Sequence, residues 1–158
     1  MGRILAIDYG TKRTGLAVTD PLRIIATALE TVETAGLINF LAKYFKSETV
    51  DEVVIGMPKQ MNNTDSETAP AVRKFIVLFS KTFPEKPIQT MDERFTSSIA
   101  QRAMLAGGMK KKDRQVKGNV DKISATLILQ DYLQMKGHWH QIRGVRLKIH
   151  RMYPTFVV

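Results

Sequence analysis

The chain has 158 residues, of which 44% are apolar and 25% charged, with no cysteine and a formal net charge of +9. One domain of ordinary size buries a real core at this length, and no apolar run approaches the ~18 residues that a membrane span needs. The lack of cysteine excludes disulfides, thiolate catalysis and Cys-based zinc sites, and the absence of an apolar leader before the first strand fits a cytoplasmic protein.

The charge is unevenly spread. Residues 1–100 hold 12 Lys/Arg against 12 Asp/Glu, whereas residues 101–158 hold 12 against 3. A basic C-terminal segment of this kind points to a polyanionic partner, nucleic acid above all.

Residues 4–15 read Ile-Leu-Ala-Ile-Asp8-Tyr-Gly10-Thr-Lys-Arg13-Thr-Gly15. Four consecutive apolar residues suit a central strand covered on both faces, predicted over 3–9. An Asp at the end of such a strand has no packing role, and open α/β sheets place their ligands at that end. The alternative is an Asp that merely caps a turn. Residues 14–19 give a second strand after the short glycine turn, and 22–31 a third after Asp20-Pro21. The spacing of Leu37, Ile38, Leu41, Ala42 and Phe45 predicts a helix over 35–47. Residues 51–57 form a buried strand closed by Gly56 and Pro58, followed by a polar loop at 59–66.

A second helix is expected over 67–81, with Val72, Phe75, Ile76 and Phe79 on one side. The next strand, 88–91, runs into Asp92-Glu93-Arg94. Residues 96–106 look helical and stop at Gly107-Gly108. Residues 109–118 are basic and aperiodic, read as a mobile loop. The last helix is predicted over 119–136, ending before Gly137. The tail that follows is basic and aromatic, and the alternation in 145–149 (Val-Arg-Leu-Lys-Ile) fits an edge strand. Its His138-Trp139-His140 reads as an exposed or packed tail rather than a metal pair. The order β-β-β-α-β-α-β-α-α is an α/β pattern, a mixed sheet with helices on its faces. The expected organisation is one domain over 1–137, with 138–158 as a tail and not an independent domain.

Three carboxylates stand at element ends. Glu93 follows its strand as Asp8 follows the first. Asp92 points the other way if the strand persists, because side chains alternate. The reading favours Glu93, which is followed by Arg94 and a polar Thr96-Ser97-Ser98 helix start. Helix capping is the competing role for either residue. Asp121, in the predicted first turn of the last helix, heads a stripe continued by Ala125, Ile128 and Tyr132. The helix dipole alone would also favour an acid there. Oxygen donors without Cys suit Mg²⁺ or Mn²⁺, and two such ions serve phosphodiester cleavage. Asp8, Glu93 and Asp121 are therefore the expected catalytic and metal-binding residues. Lys12, Arg13, Lys59 and Arg94 are expected to touch phosphates, with Lys110, Lys111 and Lys112 tracking the backbone further out.

These pieces resemble the YqgF (RuvX-like) family of the ribonuclease H-like superfamily. The resemblance rests on Asp8 to Gly15, Val54 to Pro58, Asp92 to Thr96, and Asp121 to Ala125 followed by Leu129 to Leu133, in order across about residues 3–135. It implies a ribonuclease H-like fold with a five-stranded mixed sheet of order 3-2-1-4-5, and an acidic site from the first strand, the Asp-Glu-Arg motif and the last helix. By position these are Asp8, Glu93 and Asp121. Members are described as Holliday-junction resolvases and as nucleases that mature the 5′ end of pre-16S ribosomal RNA. Many related nucleases carry an acid on the fourth strand. This chain has Gly56 and Met57 there, so Glu93 on the next strand must substitute.

The expectation is a Mg²⁺-dependent endonuclease on structured nucleic acid, ribosomal RNA precursor before branched DNA, acting as a monomer or weak homodimer with no membrane partner. The preference for RNA rests on the resemblance. Two rivals stand beside it. An ATP-binding domain of the actin and sugar-kinase type starts similarly but needs a second domain to close on the nucleotide. A non-catalytic RNA-binding module would keep the fold without turnover.

Overall fold

The computed structural model describes residues 1–58 and 68–92, the backbone of 117–142, and the side chains of 122–137. Five strands form one sheet: β1 (Arg3–Asp8), β2 (Arg13–Thr19), β3 (Ala26–Glu33), β4 (Val50–Met57) and β5 (Ile88–Asp92). Its order is β3-β2-β1-β4-β5. β1 pairs antiparallel with β2 and parallel with β4, β2 pairs antiparallel with β3, and β4 pairs parallel with β5. The described helices are α1 (Leu37–Ser47), entered through a 3₁₀ turn at Thr34–Gly36, α2 (Ala69–Thr82) and α3 (Lys117–Ile142).

β1 carries the core on both faces. Leu5 and Ile7 point into one cluster, with Leu37 and Leu41 of α1 and Val72, Phe75 and Phe79 of α2. Ile4 and Ala6 point into the other, with Val54, Met91 and Ala125, Ile128, Leu129 and Tyr132 of α3. All four β1 residues are fully buried, which is why their run is continuous rather than alternating. α1 and α2 read correctly from their apolar stripes. Pro70 sits in the first turn of α2, where its missing N–H costs nothing.

Three boundaries differ from expectation. β3 starts at Ala26 rather than 22, because the Asp20 carboxylate accepts hydrogen bonds from the N–H groups of Leu22, Ile24 and Ile25 at 3.2, 2.7 and 2.8 Å. That ties 20–25 into a loop, the side chain doing locally what a strand partner would do. α3 begins at Lys117, inside the stretch read as a loop, and it passes Gly137 to reach Ile142. A single Gly costs a helix only about 1 kcal/mol, and among the described residues no glycine has positive φ. The expected boundary between domain and tail at 137/138 therefore falls within the helix. The expected helix at 96–106 and most of the loop at 109–118 lie outside the described residues.

α3 runs antiparallel to β1. Near its start, Lys122 pairs with Glu30 in the upper half of β3 at 3.4 Å. Near its other end, Tyr132 and Lys136 both hydrogen-bond Glu52, at the beginning of β4. The Tyr132 hydroxyl is pushed well above its ordinary pKa by burial and by the Glu52 carboxylate.

Phe79 is fully buried and meets Phe45, Phe75 and Phe83 with ring centroids 6.3, 6.1 and 5.1 Å away. Phe79→Ala is expected to lower the unfolding free energy by about 3–5 kcal/mol, measured by denaturant titration.

Candidate active site

Parallel pairing brings the C-terminal ends of β1, β4 and β5 to one rim. Ile7 is level with Ile55, Gly56 with Met91, and Met57 with Asp92. The pleat then sorts their faces. Ile4, Ala6, Val54 and Met91 face α3, so Asp8 and Gly56, at even positions of β1 and β4, fall on the α3 side of the rim. Asp92, the neighbour of Met91, falls on the opposite side. Asp8 and Asp92 stand two strands apart, about 10 Å across the ladder. Gly56 between them presents no side chain. Asp8 is half-buried and is the last β1 residue paired with β2, opposite Gly15.

The turn after Asp8 is held from below. The Thr34 hydroxyl donates to the Gly10 carbonyl at 2.6 Å, and the Thr34 N–H donates to the Lys12 carbonyl at 3.0 Å. The hydroxyls of Thr34 and Thr14 lie 2.9 Å apart. Since Thr34 spends its hydroxyl proton on Gly10, Thr14 is the donor in that pair. Thr14 is fully buried. A Cβ on Gly10 would stand 2.2 Å from the Arg13 carbonyl oxygen, so only glycine fits there. On the other side, the Tyr9 ring packs on Phe75 at 5.1 Å. The backbone of the turn is thus fixed, while Lys12 and Arg13 are exposed on top of it.

Of the expected site residues, the structure places Asp8, Lys12 and Arg13 together at this rim. Position 121 lies on the helical backbone of α3, two turns before Ile128. α3 starts earlier than expected, so Asp121 stands past the first turn, where the dipole's influence has largely faded. The side chain of Asp121, and Lys59, Glu93, Arg94, Lys110, Lys111 and Lys112, lie outside the described residues. Among the described residues no three His, Cys, Asp or Glu cluster as a metal site. Asp8 is the one expected carboxylate whose side chain is described. Its oxygen chemistry fits a hard divalent cation.

No local pattern points to Thr14 and Thr34. Their contact spans 20 positions, and no spacing rule links a strand threonine to the start of a helical turn. Shifted carboxylates sit at the opposite pole. The backbone N–H of Ile25 holds Asp20 below the ordinary carboxylate range, and that of Gly2 does so for Asp51.

Residues 2–135 match the family described as "RuvX: Holliday junction resolvase". The chain belongs to the RuvX (YqgF) family. A Bacteroides thetaiotaomicron relative is 54% identical over 136 residues, covering 86% of this chain and 99% of its own length. One from Phocaeicola vulgatus is 55% identical over 136 residues, with 86% and 98% covered. Both bear the name "Putative pre-16S rRNA nuclease". In fold, the chain is similar to Thermus thermophilus RuvC in complex with a Holliday junction (TM-score 0.53, 14% identity, 87% of this chain and 96% of that one). It is also similar to the Fowlpox virus resolvase in complex with junction DNA (TM-score 0.52, 14% identity, 85% and 98%). This RuvX-family chain is a nuclease of ribonuclease H-like fold. Among its described residues no helix is long and apolar enough to cross a membrane.

Thr34→Val is expected to cost about 1–3 kcal/mol of stability, since it removes the hydroxyl that serves Gly10 and Thr14. Thr34→Ser should restore most of it. Thermal or urea melts of the two variants check this.

Proposed function

We propose that this RuvX-family nuclease is a divalent-metal-dependent endonuclease that processes the 5′ end of pre-16S ribosomal RNA, with Asp8, Glu93 and Asp121 as its carboxylates. The observation that carries the reading is Asp8 at the rim end of a doubly buried strand, on the face that α3 covers. Asp121 lies on the stripe that leads through Ala125, Ile128 and Tyr132, all buried against the sheet on that same face. Glu93 is favoured over Asp92 by alternation, because Met91 faces α3 and the residue two further on shares its side if the strand geometry continues. Gly56 leaves that rim without a fourth-strand acid, a gap that a Glu one strand over has the reach to fill.

These carboxylates would hold Mg²⁺ or Mn²⁺, which when bound supplies an activated water and offsets charge at the phosphate. Asp8 would fix its ligand oxygen through the rigid end of β1. Lys12 and Arg13, on a turn pinned by Thr34, would meet substrate phosphates in a fixed place. Lys59 and Arg94 would act from the neighbouring loops, and Lys110 to Lys112 would follow the backbone outward. The assignment to ribosomal RNA draws on relatives at 54% and 55% identity. The description of the family as a Holliday junction resolvase favours one second reading, cleavage of branched DNA. The working unit is proposed as a cytoplasmic monomer or weak homodimer.

The test offers a pre-16S RNA 5′ segment and a four-way DNA junction to the protein in Mg²⁺. Cleavage of the RNA in preference to the junction is expected, and the reverse preference would establish the DNA reading. On the cleaved substrate, Glu93→Gln should lower the rate by about 10²-fold or more, given several kcal/mol of metal-derived stabilisation. Asp92→Asn should stay within a few-fold of wild type. A larger loss from Asp92→Asn would move the second carboxylate to the other face.

A further inference from the structure

The pole opposite the active site carries a feature that catalysis does not use. Loop 20–25 is rigidly built. Besides the three bonds to the Asp20 carboxylate, the Arg23 N–H donates to the Asp20 carbonyl at 3.0 Å, and the Asp20 N–H donates to that of Ile25 at 3.2 Å. Arg23 adopts positive φ, 58°. Its guanidinium donates to the Gly2 carbonyl at 2.8 Å and to the Asp51 carboxylate at 2.6 Å. Yet this fixed loop holds three large apolar side chains out to solvent: Leu22, Ile24 and Ile25 are 67%, 69% and 62% exposed. Scattered exposed apolar residues are ordinary, but three within one rigid six-residue loop form a cluster of the kind that marks an interaction site.

α3 ends at this same pole. Arg23 pairs with Asp51, and the next residue, Glu52, receives Tyr132 and Lys136 of α3. Ala26, at the base of the loop, packs against the same core cluster as Leu133 and Met135. From there α3 runs on to Ile142, and residues 143–158 follow. The family match stops at residue 135. The 136 residues shared with the Bacteroides thetaiotaomicron relative span 99% of its length, so the terminal stretch lies beyond what the two share. Extended, it would reach about 50 Å, far more than the loop requires. Val145, Leu147 and Ile149 alternate with Arg146 and Lys148. In an extended segment the first three share one face and the cations take the other.

We propose that residues 143–158 dock on this chain's own loop 20–25, with the apolar face of 145–149 covering Leu22, Ile24 and Ile25. The segment would shield the patch and leave its cations outward. This proposal is independent of which nucleic acid the opposite pole cleaves.

The chain contains no cysteine, so introduced thiols report without background. Full-length Ile24→Cys/Leu147→Cys is compared with Val77→Cys/Leu147→Cys, since Val77 is an exposed residue, 54%, of α2 on the other face of the sheet. Both are oxidised mildly at low protein concentration, with circular dichroism confirming native helix content. The 24/147 pair is expected to close within one chain about tenfold faster than the 77/147 pair, because docking raises its effective concentration. Equal rates would overturn the proposal, as would disulfides formed mainly between chains, which would make the patch an interface between two copies.

Discussion

The placement of the candidate active site depends on burying β1 from both faces. Ile4, Leu5, Ala6 and Ile7 have no exposure at all, with α1 and α2 packed on one side and α3 on the other. A strand so enclosed has little freedom to slide or twist, because shifting its register by one residue would exchange its two sets of core contacts. Asp8, the next residue, inherits that rigidity. β4 lies parallel to β1 and β5 parallel to β4, so their C-terminal ends come to the same rim. α3 then crosses the sheet from the rim to the far pole.

That far pole acts as an anchor. Glu52 receives both Tyr132 and Lys136 from α3, and the Lys136 ammonium also lies 5.2 Å from the Tyr132 ring centroid. A half-buried carboxylate with two partners on one helix resists both rotation and translation of that helix. The consequence reaches the other end, where the position of Asp121 on α3 is set by packing three turns away. The threonine pair under the Gly10 turn does the equivalent task for Lys12 and Arg13.

Much of this was legible in the sequence because its signals were local or periodic. The unbroken Ile4–Ile7 run, the apolar stripes of α1 and α2, and the buried stripe of Ala125, Ile128 and Tyr132 all read correctly. The order of the sheet came from the family resemblance and agrees with the structure. What failed to read was decided by competition between local and tertiary terms. Leu22 to Ile25 look like strand residues, but the Asp20 carboxylate takes the N–H groups of Leu22, Ile24 and Ile25 that a strand partner would need. Gly137 looks like a helix end, but its modest cost does not stop a helix already anchored at Lys136. Thr34 looks like an ordinary residue before a helix, because its partners at Gly10, Lys12 and Thr14 are remote in sequence.

Asp8 is proposed as a metal-binding carboxylate and not a structural one. Asp8→Asn keeps the side chain's size and removes its charge. Cleavage rates in Mg²⁺, measured beside thermal melts and nucleic-acid binding, test the claim most directly. The account predicts a loss of at least about 10²-fold in rate, with folding and binding largely retained. Turnover at the wild-type rate in the Asp8→Asn protein would contradict it.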